Sequence, residues 1–271
     1  MRRGQARASA RRVWGLMYRH LALYRGSWPR LLELAYWPIL QMCIWGFTAS
    51  FLAARMGSAI ALAGGMLLGG VLLWEVALRT QMGVAVSFLE EMWSRNLGHV
   101  FVSPLRPWEL VTALLGISVV RMTTGVAPAV LLAWLLYAFN LLSMGPVIVL
   151  FFVNLIVMGW WVAFGVISLV LRHGLGAEAL AWSLLFGLTP FSAVFYPVSV
   201  LPAAIQPVAL ALPSAHVFEG MRAVMLNGVI RWDHLAWAVA LNAAWMIGAV
   251  LLFARQFRQA RVRGALLNIG E

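Results

Sequence analysis

The sequence predicts an all-α membrane protein: six transmembrane helices, a cytoplasmic N-terminal amphipathic helix, a polar helix between spans two and three, and a re-entrant helical hairpin before span six. Three observations predict it. The chain is 63% hydrophobic and 11% charged over 271 residues, with a mean hydropathy of +0.87, too few polar side chains to cover a water-facing globule of that size. Six apolar runs are long enough to cross a hydrocarbon core that takes about 20 helical residues. The arginines cluster in alternate connections, as the positive-inside rule requires.

Residues 1–30 carry eight arginines among small and aromatic residues, without the apolar core of a secretory signal peptide. Val13, Leu16, Met17, Leu21 and Tyr24 recur at helical spacing, with Arg12, Arg19 and Arg25 elsewhere on the wheel. The segment reads as an interfacial helix on an anionic leaflet. A nucleic-acid-binding arm would leave that apolar stripe unused, so no nucleic acid partner is expected.

The membrane-spanning body occupies residues 31–257, with spans at 33–54, 59–82, 110–137, 146–171, 177–196 and 234–254, and a basic tail at 258–271. Fifteen of the 20 arginines fall in the N-terminal arm, the 86–107 segment, the 172–176 turn and the stretch after the last span, from Arg255 onward. That side is therefore cytoplasmic and both termini lie on it. Arg55, Arg222 and Arg231 fall on the other side; Arg79 and Arg121 are within spans.

The 86–107 segment is the longest polar interruption before the C-terminal third. Val86, Leu89, Trp93, Leu97 and Val100 define an apolar stripe opposite Ser87, Glu90, Glu91, Ser94 and Arg95. Pro104 stops this helix, and Pro107 followed by Glu109 reads as the first turn of the next. In 197–228, Pro197, Pro202, Pro207 and Pro213 break an apolar stretch. An unbroken span there would lose backbone hydrogen bonds in lipid, so short helices that dip in and return are expected. The last is Val217 to Leu226, closed by Asn227 and Gly228.

Several chemistries lack their residues. No lysine occurs, so the P-loop, which needs one to reach the nucleotide phosphates, is missing. Cys43 lies alone in an apolar run and reads as a packed thiol. The five histidines show no HExxH or paired spacing, so no metal or cofactor site and no catalytic group is expected in this chain.

Intramembrane charges are functional hypotheses by default. Glu75 and Arg79, acid first and four apart, read as a mutually neutralising pair ahead of a proton relay. Arg121 has no acid beside it in its span and must find a carbonyl, Glu75 or a water-filled path. Glu33 stands at the cytoplasmic mouth of span one, where a solvated role outranks ligand binding. Gly65 and Gly69 form a GxxxG step suited to internal packing more than to dimerisation. Many of the 14 tryptophans, Trp28, Trp37, Trp108 and Trp232 among them, mark interfacial belts, while Trp45 is a candidate pathway residue.

Three stretches in order, SWPRLLELAYWPILQMCIWGF, FLEEMWSRNLGHVFVSPLRPWEL and FSAVFYPVSVLPAAIQPVALALPSAHVFEGMRAVML, resemble the type-2 ATP-binding-cassette exporter permeases over nearly the whole chain. The resemblance implies that 86–107 is a coupling segment, with Glu90, Glu91, Trp93, Ser94 and Arg95 contacting an ATPase. It implies that Glu33, Tyr36, Trp37 and Trp45 stand near the cytoplasmic entrance and that Glu219 and Arg222 sit in an outer gate. It also implies two separate ATPase subunits holding ATP and magnesium, a second and identical permease copy, a bacterial inner-membrane location, and export of a drug, lipid or lipid-linked glycan. Two alternatives stand beside it, a secondary transporter, which predicts an internal repeat between chain halves that the sequence does not show, and an assembly subunit of the same architecture. A secondary transporter would use Glu75, Arg79 and Arg121 as an ion relay; a membrane assembly subunit, such as one delivering haem, would use His216 and His234.

Overall fold

The computed structural model describes residues 2–56, 58–94 and 105–262, which contain helices and no strand. The helices are α1 (Arg2–Arg25), α2 (Trp28–Met56), α3 (Ser58–Trp93), α4 (Pro107–Tyr137), α5 (Val147–His173), α6 (Ala179–Leu188), α7 (Gln206–Leu210), α8 (Pro213–Asn227) and α9 (Trp232–Val262). Among the described residues, five helices are long and apolar enough to cross a membrane: α2, α3, α4, α5 and α9.

The expected span at 177–196 takes a different form. Its α-helix is 10 residues long and passes into a 3-10 turn over Thr189–Phe191. Pro190 lies in that turn, where its ring and missing N–H prevent the α-helix from continuing. The path nevertheless runs along α3. It starts where the Trp93 indole N–H donates to Glu178, and Gln81 donates to the Ala181 carbonyl at 2.9 Å. It ends at the Val194 carbonyl, against Gly70, where an added Cβ would meet that oxygen at 2.7 Å.

Span two and the polar helix expected after it form one rod of 36 residues, since no proline interrupts 83–93. Leu97, Val100 and Pro104 lie outside the described residues. The expected polar face is only partly solvent-facing: Ser87 and Glu91 are fully buried and Glu90 is half-buried, while Ser94 is exposed and Trp93, of the apolar stripe, is 44% exposed. The α4 start is as expected, with Pro107 in the first turn and the Arg106 N–H donating to the Glu109 carboxylate at 2.9 Å. That carboxylate satisfies a backbone donor which the helix itself cannot.

Central α3 is wrapped by α2, α4 and α5, and α9 packs on α5 and α8. One core layer gathers Leu72, Leu73, Phe151, Met158, Phe218 and Met221. A second, nearer α1, gathers Phe88, Leu89, Leu110, Ala163 and Ile167. Close crossings depend on glycine. Pro38 within α2 supplies no N–H to the Leu34 carbonyl, and that oxygen lies against Gly125 of α4, where a Cβ would meet it at 2.7 Å. Gly159 brings α5 onto α3, with the Ala77 carbonyl 2.8 Å from any added Cβ. Gly65 and Gly69 pack internally, against Phe139, Met144, Met221 and Met225.

Buried amides tie α5 to α9. The Trp161 indole donates to Asn242 Oδ1 at 3.1 Å, and the Asn242 amide donates to both the Asn154 carbonyl and its Oδ1 at 3.0 Å. The 197–228 stretch consists of a 3-10 turn at Val198–Val200, then α7 and α8. Gly228, at φ +64°, closes α8 in the left-handed conformation that glycine adopts without a Cβ clash. The last helix extends to Val262, so the expected tail begins as helix; residues beyond 262 lie outside the described residues.

Candidate functional site

The amphipathic stripe of α1 faces the bundle. Val13, Leu16, Met17 and Leu21 are half-buried, and Ser9, His20 and Tyr24 are buried. Two ion pairs clip α1 onto the ends that flank residues 95–104. At one, Arg12 donates through Nε to Glu109 Oε2 at 2.9 Å and through Nη2 to Oε1 at 2.6 Å, while the Ser9 hydroxyl donates to the same carboxylate. At the other, Arg19 donates to Glu91, whose side chain has no exposed surface. Buried His20 lies between the two α3 carboxylates, 3.7 Å from Glu90 and 3.4 Å from Glu91.

Behind this clip is a cavity of about 550 Å³ lined by α2, α3, α4 and α6 and by Tyr24 of α1. Its charged lining is Arg30, Glu33, Glu75, Arg79, Glu90 and Arg121. Arg79 Nε donates to Glu75 at 2.9 Å, which neutralises both groups in a low-dielectric setting. Arg121 donates to the Ser87 hydroxyl at 2.8 Å, lies 3.9 Å from Glu90 and stands 5.2 Å over the Tyr24 ring. Burial pushes the Tyr24 phenol up to about 12, so it remains a neutral hydroxyl. Among the described residues no group bonds that hydroxyl. Trp37, Trp93, Trp182 and Phe186 supply aromatic wall.

The cavity unites residues that the sequence suggested for three separate reasons: Glu33 and Trp37, the charges Glu75, Arg79 and Arg121, and Glu90 with Trp93. Others stand apart. Tyr36 is exposed and packs edge-on to Trp37. Trp45 stacks on Phe195 at 5.1 Å and donates to Gln41. The exposed Ser94 caps α3 by donating to the Glu90 carbonyl at 2.7 Å, and Arg95 lies outside the described residues. Sequence reasoning did not single out Tyr24, Arg30, Gln41, Trp182 or Phe186 as site residues. The 30, 33, 37, 41 helical stripe and the four-residue step from Trp182 to Phe186 carried the only local signal.

At the opposite end, Arg222 and Glu219 pair at 3.1 Å. Arg222 donates to the Ala193 carbonyl at 2.9 Å, and Glu219 accepts from the Val198 N–H at 2.7 Å, which ties α8 to the 189–200 connector. Nearby, His216 and His234 meet Nδ1 to Nδ1 at 3.2 Å, and His216 Nε2 contacts the Leu210 carbonyl at 2.9 Å. Because a carbonyl only accepts, His216 carries a proton on Nε2. Among the described residues no group of three or more His, Cys, Asp or Glu converges as metal ligands.

Compared with known families, residues 9–226 match one described as ABC-2 type transporter. A comparison with curated proteins finds no match.

Proposed function

The chain belongs to the ABC-2 type transporter family and is a permease subunit of an ABC transporter, and from that premise we propose that it exports an amphiphilic or hydrophobic cargo, a drug, lipid or lipid-linked glycan, driven by separate ATPase subunits. The observation that carries this is the extent of the family match, from within α1 through nearly all of α8. In this proposal two identical permease chains engage two ATPases, which hold the ATP and magnesium. The assembly sits in a bacterial inner membrane with both termini cytoplasmic, as the arginine distribution favours.

The α6 segment acts as the sixth crossing. Trp93 meets it at Glu178 and Gly70 meets it at Val194, and the stretch of α3 between them is about 35 Å long at 1.5 Å per residue. That distance matches a hydrocarbon core of about 30 Å. The 197–228 segment forms the outer re-entrant hairpin, with Glu219 and Arg222 latching the gate.

Coupling runs through the α3 end and the 95–104 segment. Trp93 and Ser94, exposed beside that segment, with Glu90 and Arg95, form the docking face, while the fully covered Glu91 holds α1 in place. ATPase closure would push on this end, and α3, continuous to Ser58, carries the displacement past the cavity to the Gly70 contact. Glu33, Tyr36 and Trp37 line the approach from the cytoplasmic side, while Trp45, stacked on Phe195 beside Val194, stands toward the far end of the crossing. Affinity purification of the tagged chain should bring an ATP-binding-cassette ATPase with it, and cargo movement should require ATP hydrolysis by that partner. Uphill transport by the purified chain alone overturns the proposal.

A further inference from the structure

We propose that the 550 Å³ cavity binds an amphiphile with a zwitterionic head, a phosphate and an amine at one end of an apolar tail; this deepens, and rests on, the reading of the chain as a transport subunit. Three observations converge on that chemistry. First, the cavity carries three arginines and three glutamates. A solely anionic or cationic head would leave a net charge in a confined site, whereas a zwitterion leaves it balanced.

Second, two of those charges are uncommitted. Arg30 and Glu33 are three apart on α2, yet among the described residues neither forms an ion pair with the other or with any other group. Both line the same cavity as Tyr24, together with Arg121, which stands 5.2 Å over the Tyr24 ring, and Glu90. Third, that hydroxyl is an orphan: Tyr24 is 8% exposed and, among the described residues, its oxygen has no partner. A buried hydroxyl without a partner costs stability unless a ligand completes it.

These groups divide by sign. Arg30 and Arg121 supply planar, many-donor guanidiniums suited to phosphate oxygens, and the Tyr24 O–H adds a neutral donor. Glu33 supplies the counter-charge for an amine, and Trp37, one turn further along α2, offers an aromatic face to a cation. Between this polar end and the self-neutralised Glu75–Arg79 pair, Met82 and Val86 of α3 with Trp182 and Phe186 form a wall for an alkyl or isoprenoid tail.

The test uses the purified chain alone in amphipol, by isothermal titration with 12-carbon ligands below their micelle concentrations. Dodecylphosphocholine should bind at least roughly fivefold tighter than dodecyl phosphate, dodecyltrimethylammonium or dodecyl maltoside, the scale of one partly exposed charge contact. Glycerophosphocholine, which has the head without the tail, should bind far more weakly. E33Q should rank dodecyl phosphate first and R30Q should rank dodecyltrimethylammonium first; both positions are exposed, and helical circular dichroism checks that the fold is kept. Equal binding of all four amphiphiles, equal binding of the tailless head, or rankings that neither substitution alters overturns the proposal. No ATPase is present, so failure here leaves co-purification of the motor standing, and failure of co-purification leaves the ligand preference standing.

Discussion

Arg12 and Glu109 are 97 residues apart and are joined by two hydrogen bonds, at 2.9 and 2.6 Å. The contact fastens α1 to the first turn of α4, whose Arg106 N–H uses the same carboxylate. R12A leaves that carboxylate without its strongest donor, so α1 should become sensitive to limited proteolysis. The double variant R12A/E109A should lose less further protection than the two single effects summed, the signature of a coupled pair. Strictly additive protection losses would show that the two residues act independently.

Coupling can be separated from α1 docking. Trp93 is 44% exposed and Glu91 is fully covered. W93A should therefore reduce transport-linked ATPase stimulation while α1 remains protected. E91R, which puts like charge against Arg19, should remove stimulation and release α1 together. The E90R/E91R double variant should insert in the membrane yet fail to couple, and unchanged transport would refute the docking face.

Close contact between α2 and α4 depends on Gly125. Valine there would press on the Leu34 carbonyl, and the crossing should loosen at a cost of roughly 1–3 kcal/mol, the usual scale of overpacking. Thermal unfolding in detergent measures it. An unchanged midpoint would mean that the two helices separate freely.

Asn242 joins Trp161 to Asn154 across α5 and α9. N242L should destabilise the pair by about 0.6 to 2 kcal/mol, the range measured for hydrogen bonds between membrane helices. Steric trapping or thermal unfolding reads it directly.

Tyr24 supplies a pH dependence. Burial raises its phenol from 10.0 to about 12, so the folded state holds the proton more tightly than the unfolded one. Its contribution is fully present below pH 10 and is lost as pH rises through about 12. A tyrosinate absorbance titration of the folded chain should show a late-ionising group that Y24F removes; the same profile in both proteins would contradict the buried hydroxyl.

The elements were legible where they depend on local pattern. Apolar runs located α2, α4, α5 and α9, Pro107 with Glu109 located the α4 start, and the four-residue step from Glu75 to Arg79 anticipated their 2.9 Å contact. Two elements were read differently. The wheel of 86–95 placed Ser87 and Glu91 toward water, because a wheel cannot register another helix lying on it. The apolar run at 177–196 suggested a full-length helix, but Pro190 ends the α-helical part early while tertiary contacts carry the path onward.

Hydropathy, period and arginine placement by themselves determined that this chain is a helical membrane protein, where its long helices run and which neighbours in sequence pair. Only the tertiary structure decided that Arg19 reaches Glu91, that His216 meets His234, and that Tyr24, Arg30, Glu33 and Arg121 surround one cavity. The physical reason is range. Helix formation and partition into lipid depend on residues within a turn or two of each other, whereas a site between helices depends on crossing distances. Those are set by side chains far apart in sequence, such as Gly125 against Leu34 and Gly159 against Ala77.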